Sequence, residues 1–277
     1  MDQFYTLMEE AVNLSKLNKN NEAIKIYEGI IKKYKDSQDE TISKFLIYAY
    51  YNKALAYAKN KDYQKELESY DNLLEKFIED ISPETELALV KTYLNKAICV
   101  SEIKGLKEAQ NIYKELVSNF ENSKQEDILV FVAQAAYDVA LIYGQTDQAQ
   151  EAIKAYDYLL DKFEKSTDPK ILEFIAKSLI NKGSRQKQLE NYEQALDTFD
   201  QVIKRFNDSK GELNNQVALA LHNKSIILSE LQKDDELIKV CDTIIKKFSQ
   251  SNNEMIMNIV SSAEVIKDKD RFNKNIF

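Results

Sequence analysis

Apolar residues recur three and four positions apart along nearly the whole chain, the spacing that lines them up on one face of an α-helix. Ala23, Ile24, Tyr27, Ile30 and Ile31 form one such stripe, and Leu67, Tyr70, Leu73, Leu74 and Phe77 form another. The stripes themselves repeat. An aromatic residue closes one at Tyr34, Phe77, Phe120, Phe163 and Phe206, 43 residues apart each time, and Phe248 arrives one residue early. A fixed period of this size predicts stacked helical hairpins, each leaving an apolar face for its neighbour to cover.

Each period holds two helices. The first carries a small residue (Ala11, Ala54, Ala97, Ala140, Gly183, Ser225), where two helix axes approach closely. Twelve residues on stands Ala23, Glu66, Ala109, Ala152, Ala195 or Leu237. Four further comes Tyr27, Tyr70, Tyr113, Tyr156, Phe199 or Cys241, mostly aromatics that fill the space inside the hairpin. Short polar breaks such as Asn18-Lys19-Asn20, Asn60-Lys61-Asp62 and Lys104-Gly105 reverse the chain between the two helices. Three residues after the closing aromatic lies Ser37, Ser123, Ser166, Ser209 or Ser251, and in four of these units Glu40, Glu126, Glu212 or Glu254 follows after three more. That spacing predicts a capping box, with Ser and Glu satisfying each other's backbone N–H groups at a helix start. Pro83 and Pro169 take the Glu position elsewhere, where a first helical turn tolerates them.

From such a start to the next break is about 20 residues, roughly 30 Å of helix. The second helix, as over 62–79, is slightly shorter. The predicted fold is all-α, a single solenoid domain over 1–277. Its six helix-turn-helix repeats span about 1–36, 37–79, 80–122, 123–165, 166–208 and 209–250, followed by a capping helix over 251–270 and a mildly basic solvated tail over 267–274.

Composition narrows the class further. With five Gly and two Pro in 277 residues and 30% charged side chains, long helices joined by short turns are favoured. A net charge of −8 argues against a nucleic-acid surface, which needs a basic stripe. The sequence offers no run of about 18 apolar residues to span a bilayer, and its acidic start, MDQFYTLMEE, is unlike a signal peptide. Cys99 and Cys241 read as buried thiols of a reducing compartment. A cytoplasmic protein is expected. His222 is the only histidine, so no catalytic triad or histidine metal site can be assembled. Acidic runs such as Glu9-Glu10 and Glu66-Leu67-Glu68 read as solvated helix faces. No enzyme, cofactor or metal is predicted.

The small residue, the Ala twelve positions on and the aromatic four further together resemble the tetratricopeptide repeat. Asn181-Lys182-Gly183 with Asn191-Tyr192-Glu193-Gln194-Ala195-Leu196-Asp197-Thr198-Phe199 carries the pattern best, and Asn52-Lys53-Ala54 with Tyr57, Asp62 and Tyr63 is close behind. The period is about nine residues longer than the family's usual 34, the addition falling at the start of the first helix. The resemblance implies a right-handed superhelix whose first helices line a concave groove that binds peptides or proteins.

On those first helices, the face opposite the small-residue seam carries a computable set. It includes Tyr48, Tyr51 and Asn52 in the second unit, Lys91 and Asn95 in the third, Tyr137 and Asp138 in the fourth, Lys177 and Asn181 in the fifth, and His222 and Asn223 in the sixth. Asn52, Asn95, Asp138, Asn181 and Asn223 recur with the period. An Asn amide pairs with both groups of an extended backbone, so the row either holds a bound peptide or ties one first helix to the next. Leu55, Ile98, Leu141 and Ile226 beside it either contact the partner or pack the first helices together. Family members that clamp a C-terminal carboxylate do so with Lys, Arg and Asn, and Lys91 and Lys177 would be the cations here.

The expected function is a non-enzymatic scaffold for a protein or peptide segment, monomeric or weakly dimeric, with no nucleic-acid or membrane partner. Alternatives are a peptide-sensing regulator and a self-assembling module that stacks through the truncated first helix, with Phe4, Leu7 and Ala11.

Overall fold

The structure, a computed structural model, describes residues 2–79 and 81–276, with side chains as far as 270. The described residues form thirteen α-helices and no strand. These are α1 (Asp2–Lys16), α2 (Asn20–Tyr34), α3 (Glu40–Lys59), α4 (Tyr63–Phe77), α5 (Pro83–Ile103), α6 (Leu106–Phe120) and α7 (Glu126–Gln145). Then follow α8 (Ala149–Lys162), α9 (Pro169–Gln188), α10 (Tyr192–Phe206), α11 (Glu212–Glu230), α12 (Asp234–Phe248) and α13 (Glu254–Ile276). Two compact units divide the chain inside α7, at Asp138 and Val139.

Each hairpin turn contains one residue in the left-handed region: Asn18, Lys61, Gly105, Asp147, Glu190 and Gln232. The bonding around Lys61 shows why. Its N–H reaches Ala58 O at 2.9 Å, and Asp62 N–H reaches Tyr57 O at 3.1 Å. These are the two bonds of a Schellman motif, which closes a helix end by turning one residue left-handed. Glu190 and Asn191 repeat the pair on Lys187 O and Gln186 O, both at 2.9 Å.

The helix starts fall at the expected residues, but the capping box does not form there. Glu40, Glu126, Glu212 and Glu254 are the first residues of their helices, not the third. Ser explains the shift. Its N–H first closes a turn onto the carbonyl of the preceding aromatic, as in Ser37 to Tyr34 and Ser123 to Phe120, both 3.0 Å. Its hydroxyl then accepts the N–H two residues on, at Asp39 (3.2 Å), Gln125 (3.1 Å), Asp168 (3.3 Å) and Asn253 (3.2 Å). In three units the residue before the Glu or Pro does the capping. Asp39 accepts from Ile42 N–H at 3.1 Å, Asp168 from Ile171 N–H at 3.0 Å, and Asn253 from Ile256 N–H at 3.2 Å. A Glu at the first helical position then faces the positive end of the helix dipole.

In the first unit, Ala11, Ala54 and Ala97 are fully buried, as are Tyr27 and Tyr70. Edge-on ring pairs close the hairpins: Phe4 on Tyr34 (5.3 Å), Tyr50 on Phe77 (5.8 Å) and Tyr93 on Phe120 (6.0 Å). Because α1 buries Phe4 and Ala11, those residues offer no open face for self-assembly. Glu66 departs from its expected solvated place. It lies buried at the α4 position that holds Ala in four other hairpins and Leu237 in the sixth, and burial pushes its carboxyl above the usual carboxylate range.

In the second unit, Ala140, Gly183 and Ser225 are buried in the same seam. A Cβ at Gly183 would lie 2.7 Å from the Phe199 ring, so the ring occupies the space a side chain would need. Successive helices are also tied by a recurring ion pair. Lys182 reaches Asp157 at 2.5 Å, Lys224 reaches Asp200 at 2.6 Å, and Lys267 reaches Asp242. The first unit has the equivalent pair in Lys96 and Asp71 at 2.8 Å.

Among the described residues one helix, α7, is long and apolar enough by length and composition to cross a membrane, with a mean hydropathy of 1.4 in its most apolar stretch. Half of that stretch is buried inside the fold, and Asp138 lies in the helix. The tail expected to be solvated lies outside the described side chains from residue 271 onward.

Candidate functional site

The first helices of the hairpins in the first unit each expose a large apolar side chain. Tyr5 on α1 and Phe45 on α3 are each 40% exposed, and Ile98 on α5 is 54% exposed. The rings form a continuous run: Tyr5 lies 6.1 Å from Phe45, and Phe45 lies 6.0 Å from Tyr48. Tyr48 spans to the next long helix, its hydroxyl donating to Glu84 O at 3.2 Å. Ile98 therefore faces solvent instead of packing helix on helix, whereas Leu55 is half-buried.

The polar row beside the strip is not uniform. Asn95 Nδ2 on α5 donates to Tyr51 Oη on α3 at 2.9 Å, tying one long helix to the previous one. Burial raises the Tyr51 hydroxyl pKa, and the Asn95 bond opposes that rise. Asn52 and Lys91 are half-buried and, among the described residues, their side chains make no hydrogen bond or ion pair. Asp138 takes the Asn place on α7. Burial pushes its carboxyl up to about 6, and the nearby carboxyl helps push the Tyr113 hydroxyl up to about 12. Tyr137 beside it is half-buried.

In the second unit, Lys177 on α9 sits 6.0 Å over the Phe174 ring, and Asn181 is half-buried one helical turn on. His222 and Asn223 on α11 are half-buried as well. Burial holds the His222 imidazole below its ordinary pKa, so it is neutral at pH 7. An open cleft of about 480 Å³ lies between α11 and α13, lined by Leu219, His222, Glu254, Met255, Asn258, Ile259 and Ser262.

Seven of the sequence-predicted residues thus share the first unit (Tyr48, Tyr51, Asn52, Lys91, Asn95, Tyr137 and Asp138), and Lys177, Asn181, His222 and Asn223 share the second. Sequence reasoning missed Phe45, although it lies three residues before Tyr48 and so falls on the same helical face. It also missed the α13 wall of the cleft, because that helix was assigned only a capping role. Among the described residues no group of three or more His, Cys, Asp or Glu side chains could hold a metal ion.

A family model described as tetratricopeptide repeat matches residues 5–37, and one described as anaphase-promoting complex subunit 5 matches residues 50–140 and again 135–229. That one model fits twice, each time over about two 43-residue periods, is a consequence of the repetition. No curated protein matches the sequence. Among solved structures, the apo form of RapI aligns over 98% of this chain and 88% of its own at 13% identity, with a TM-score of 0.61. A tetratricopeptide repeat protein from Parabacteroides merdae aligns over 95% of this chain and 100% of its own at 13% identity, with a TM-score of 0.51. At this identity both are likenesses of fold.

Proposed function

The chain belongs to the tetratricopeptide repeat family, and from that premise we propose that it is a non-enzymatic scaffold holding a segment of another protein along the exposed face of its long helices. The observation that carries this reading is the Tyr5–Phe45–Tyr48 strip. Single exposed apolar side chains are ordinary on a protein surface, whereas linked aromatic rings across two helices form a patch that a partner would cover. Tyr suits such a surface because it joins apolar area to a polar tip.

Asn52 lies beside the strip with its amide unengaged, able to meet both groups of an extended backbone. Asn95 is shared. It spends one N–H on Tyr51 and keeps its carbonyl oxygen and second N–H for the segment. Affinity then comes from the rings and Ile98, and orientation from the amides. Association needs no chemistry beyond this.

The test is affinity capture from native cell extract, followed by titration of the captured protein against Phe45→Ala and Asn52→Ala. Both variants should fold normally and bind at least tenfold more weakly. Unchanged affinity in both would remove this face from the interaction.

A further inference from the structure

The cleft between α11 and α13 differs from the aromatic strip in what it offers a ligand. Its walls are apolar at Leu219, Met255 and Ile259, and four polar residues line it: Glu254, Asn258, His222 and Ser262, whose hydroxyl is already spent on Asn258 O, leaving the Glu254 carboxylate, the Asn258 amide and the His222 imidazole. Among the described residues none of these three side chains makes a hydrogen bond or ion pair. Each presents an acceptor: a carboxylate oxygen, an amide oxygen, and the lone pair of an uncharged ring nitrogen. A smaller adjoining cleft of about 290 Å³ shares His222 and Ile259 and ends at Glu230, whose carboxylate is already met by Lys187 at 2.7 Å. No lysine or arginine is among the residues lining either cleft.

We infer that the α11–α13 cleft takes a lysine or arginine side chain of a protein segment. Such a side chain is apolar along its stem and carries only donors at its head. The stem lies against Met255 and Ile259, and the head meets Glu254, Asn258 and His222. An anionic side chain would face the Glu254 carboxylate, a full charge that outweighs the partial positive end of α13, with no lining lysine or arginine to offset it, and a purely apolar one would leave the acceptors unused. The chain's net charge of −8 favours a basic partner over an acidic one during encounter. This inference rests on the reading of the chain as a protein scaffold and specifies a partner's chemistry at one position within the second unit.

His222 is the only histidine, so its ring resonances report on this cleft alone. The probe is an acetylated, amidated Ala-Ala-Arg-Ala-Ala peptide added to the full chain and followed by NMR at the imidazole. A saturable shift is expected, at least tenfold weaker for the norleucine analogue and weaker again in high salt. Glu254→Gln should lower the affinity for the arginine peptide about tenfold. Equal binding of the norleucine peptide overturns the inference, as does an arginine peptide that leaves His222 unmoved. Free guanidinium binding as tightly as the peptide also overturns it, because the cleft would then select a cation and no segment. A captured partner that weakens on Phe45→Ala but ignores Glu254→Gln sinks the cleft and leaves the groove reading standing.

Discussion

Asn95 donates its amide N–H to the hydroxyl of Tyr51, 44 residues earlier, at 2.9 Å. The bond joins two long helices of the first unit, α3 and α5, within the half-buried polar row. A neutral bond of this kind contributes about 1 kcal/mol net. Tyr51→Phe and Asn95→Ala should therefore each lower stability by about 1 kcal/mol, and the double variant by less than the sum. Urea unfolding of the four proteins checks this; strict additivity would show that the bond does not operate in solution.

Gly183 and Phe199 form a second coupled pair. With the ring 2.7 Å from where a Cβ would sit, Gly183→Ala forces the ring to move. Overpacking of this sort costs about 1–3 kcal/mol. Phe199→Leu in the same chain should recover part of the loss, because the smaller side chain vacates the contested space. Thermal unfolding of single and double variants decides the matter.

Asp138 makes stability depend on pH. Its folded pKa of about 6 exceeds the ordinary 3.8, so between these values the folded protein binds more protons than the unfolded chain. This group's contribution is thus fully present below about pH 4 and is lost as pH rises through 6. Asp138→Asn should stabilise the protein at pH 7.5 by about 1–2 kcal/mol and change little at pH 4. Equal effects at both pH values would contradict the burial of this carboxyl.

The non-glycine left-handed turns are sites of mild strain. Glu190 and Gln232 hold φ of 59° and 55°. Replacing either with Gly removes the Cβ contact that disfavours this region and should stabilise by about 0.5–1 kcal/mol, read as a rise in Tm. Destabilisation would mean that the side chain makes a contact worth more than the strain.

Neither thiol should react in the native protein. Burial, with Glu66 alongside, pushes the Cys99 thiol up to about 12, and burial raises Cys241 as well. Iodoacetamide at pH 8 should leave both unmodified until urea unfolds the chain, as read by mass spectrometry.

The helices were legible because the 43-residue period repeats the same packing problem, and Ala11, Ala54 and Ala97 answer it alike. Glu66 was misjudged for the same reason. Sequence spacing locates the seam, but only packing reveals that α4 buries a carboxylate where its counterparts bury Ala or, in α12, Leu237. The capping box failed because Ser carries two local options. It can cap a helix or close a turn on the preceding carbonyl, and spacing alone does not choose between them. The candidate face was readable as far as helical geometry goes. Which amide is tied and which is open depends on the neighbouring helix: Asn95 on α5 finds the Tyr51 hydroxyl on α3, whereas Asn52 on α3 finds no such partner among the described residues.

Five residue types, Asn18, Lys61, Asp147, Glu190 and Gln232, share one backbone conformation, with φ between 55° and 60°. The carbonyls of the preceding helix hold that conformation, so the side chain at the turn carries almost no folding instruction. A turn of this design can change its residue freely while the hairpin persists. The fold's demands on sequence shrink to the seam and its aromatics, and most of the outer surface is left open to diverge toward new partners.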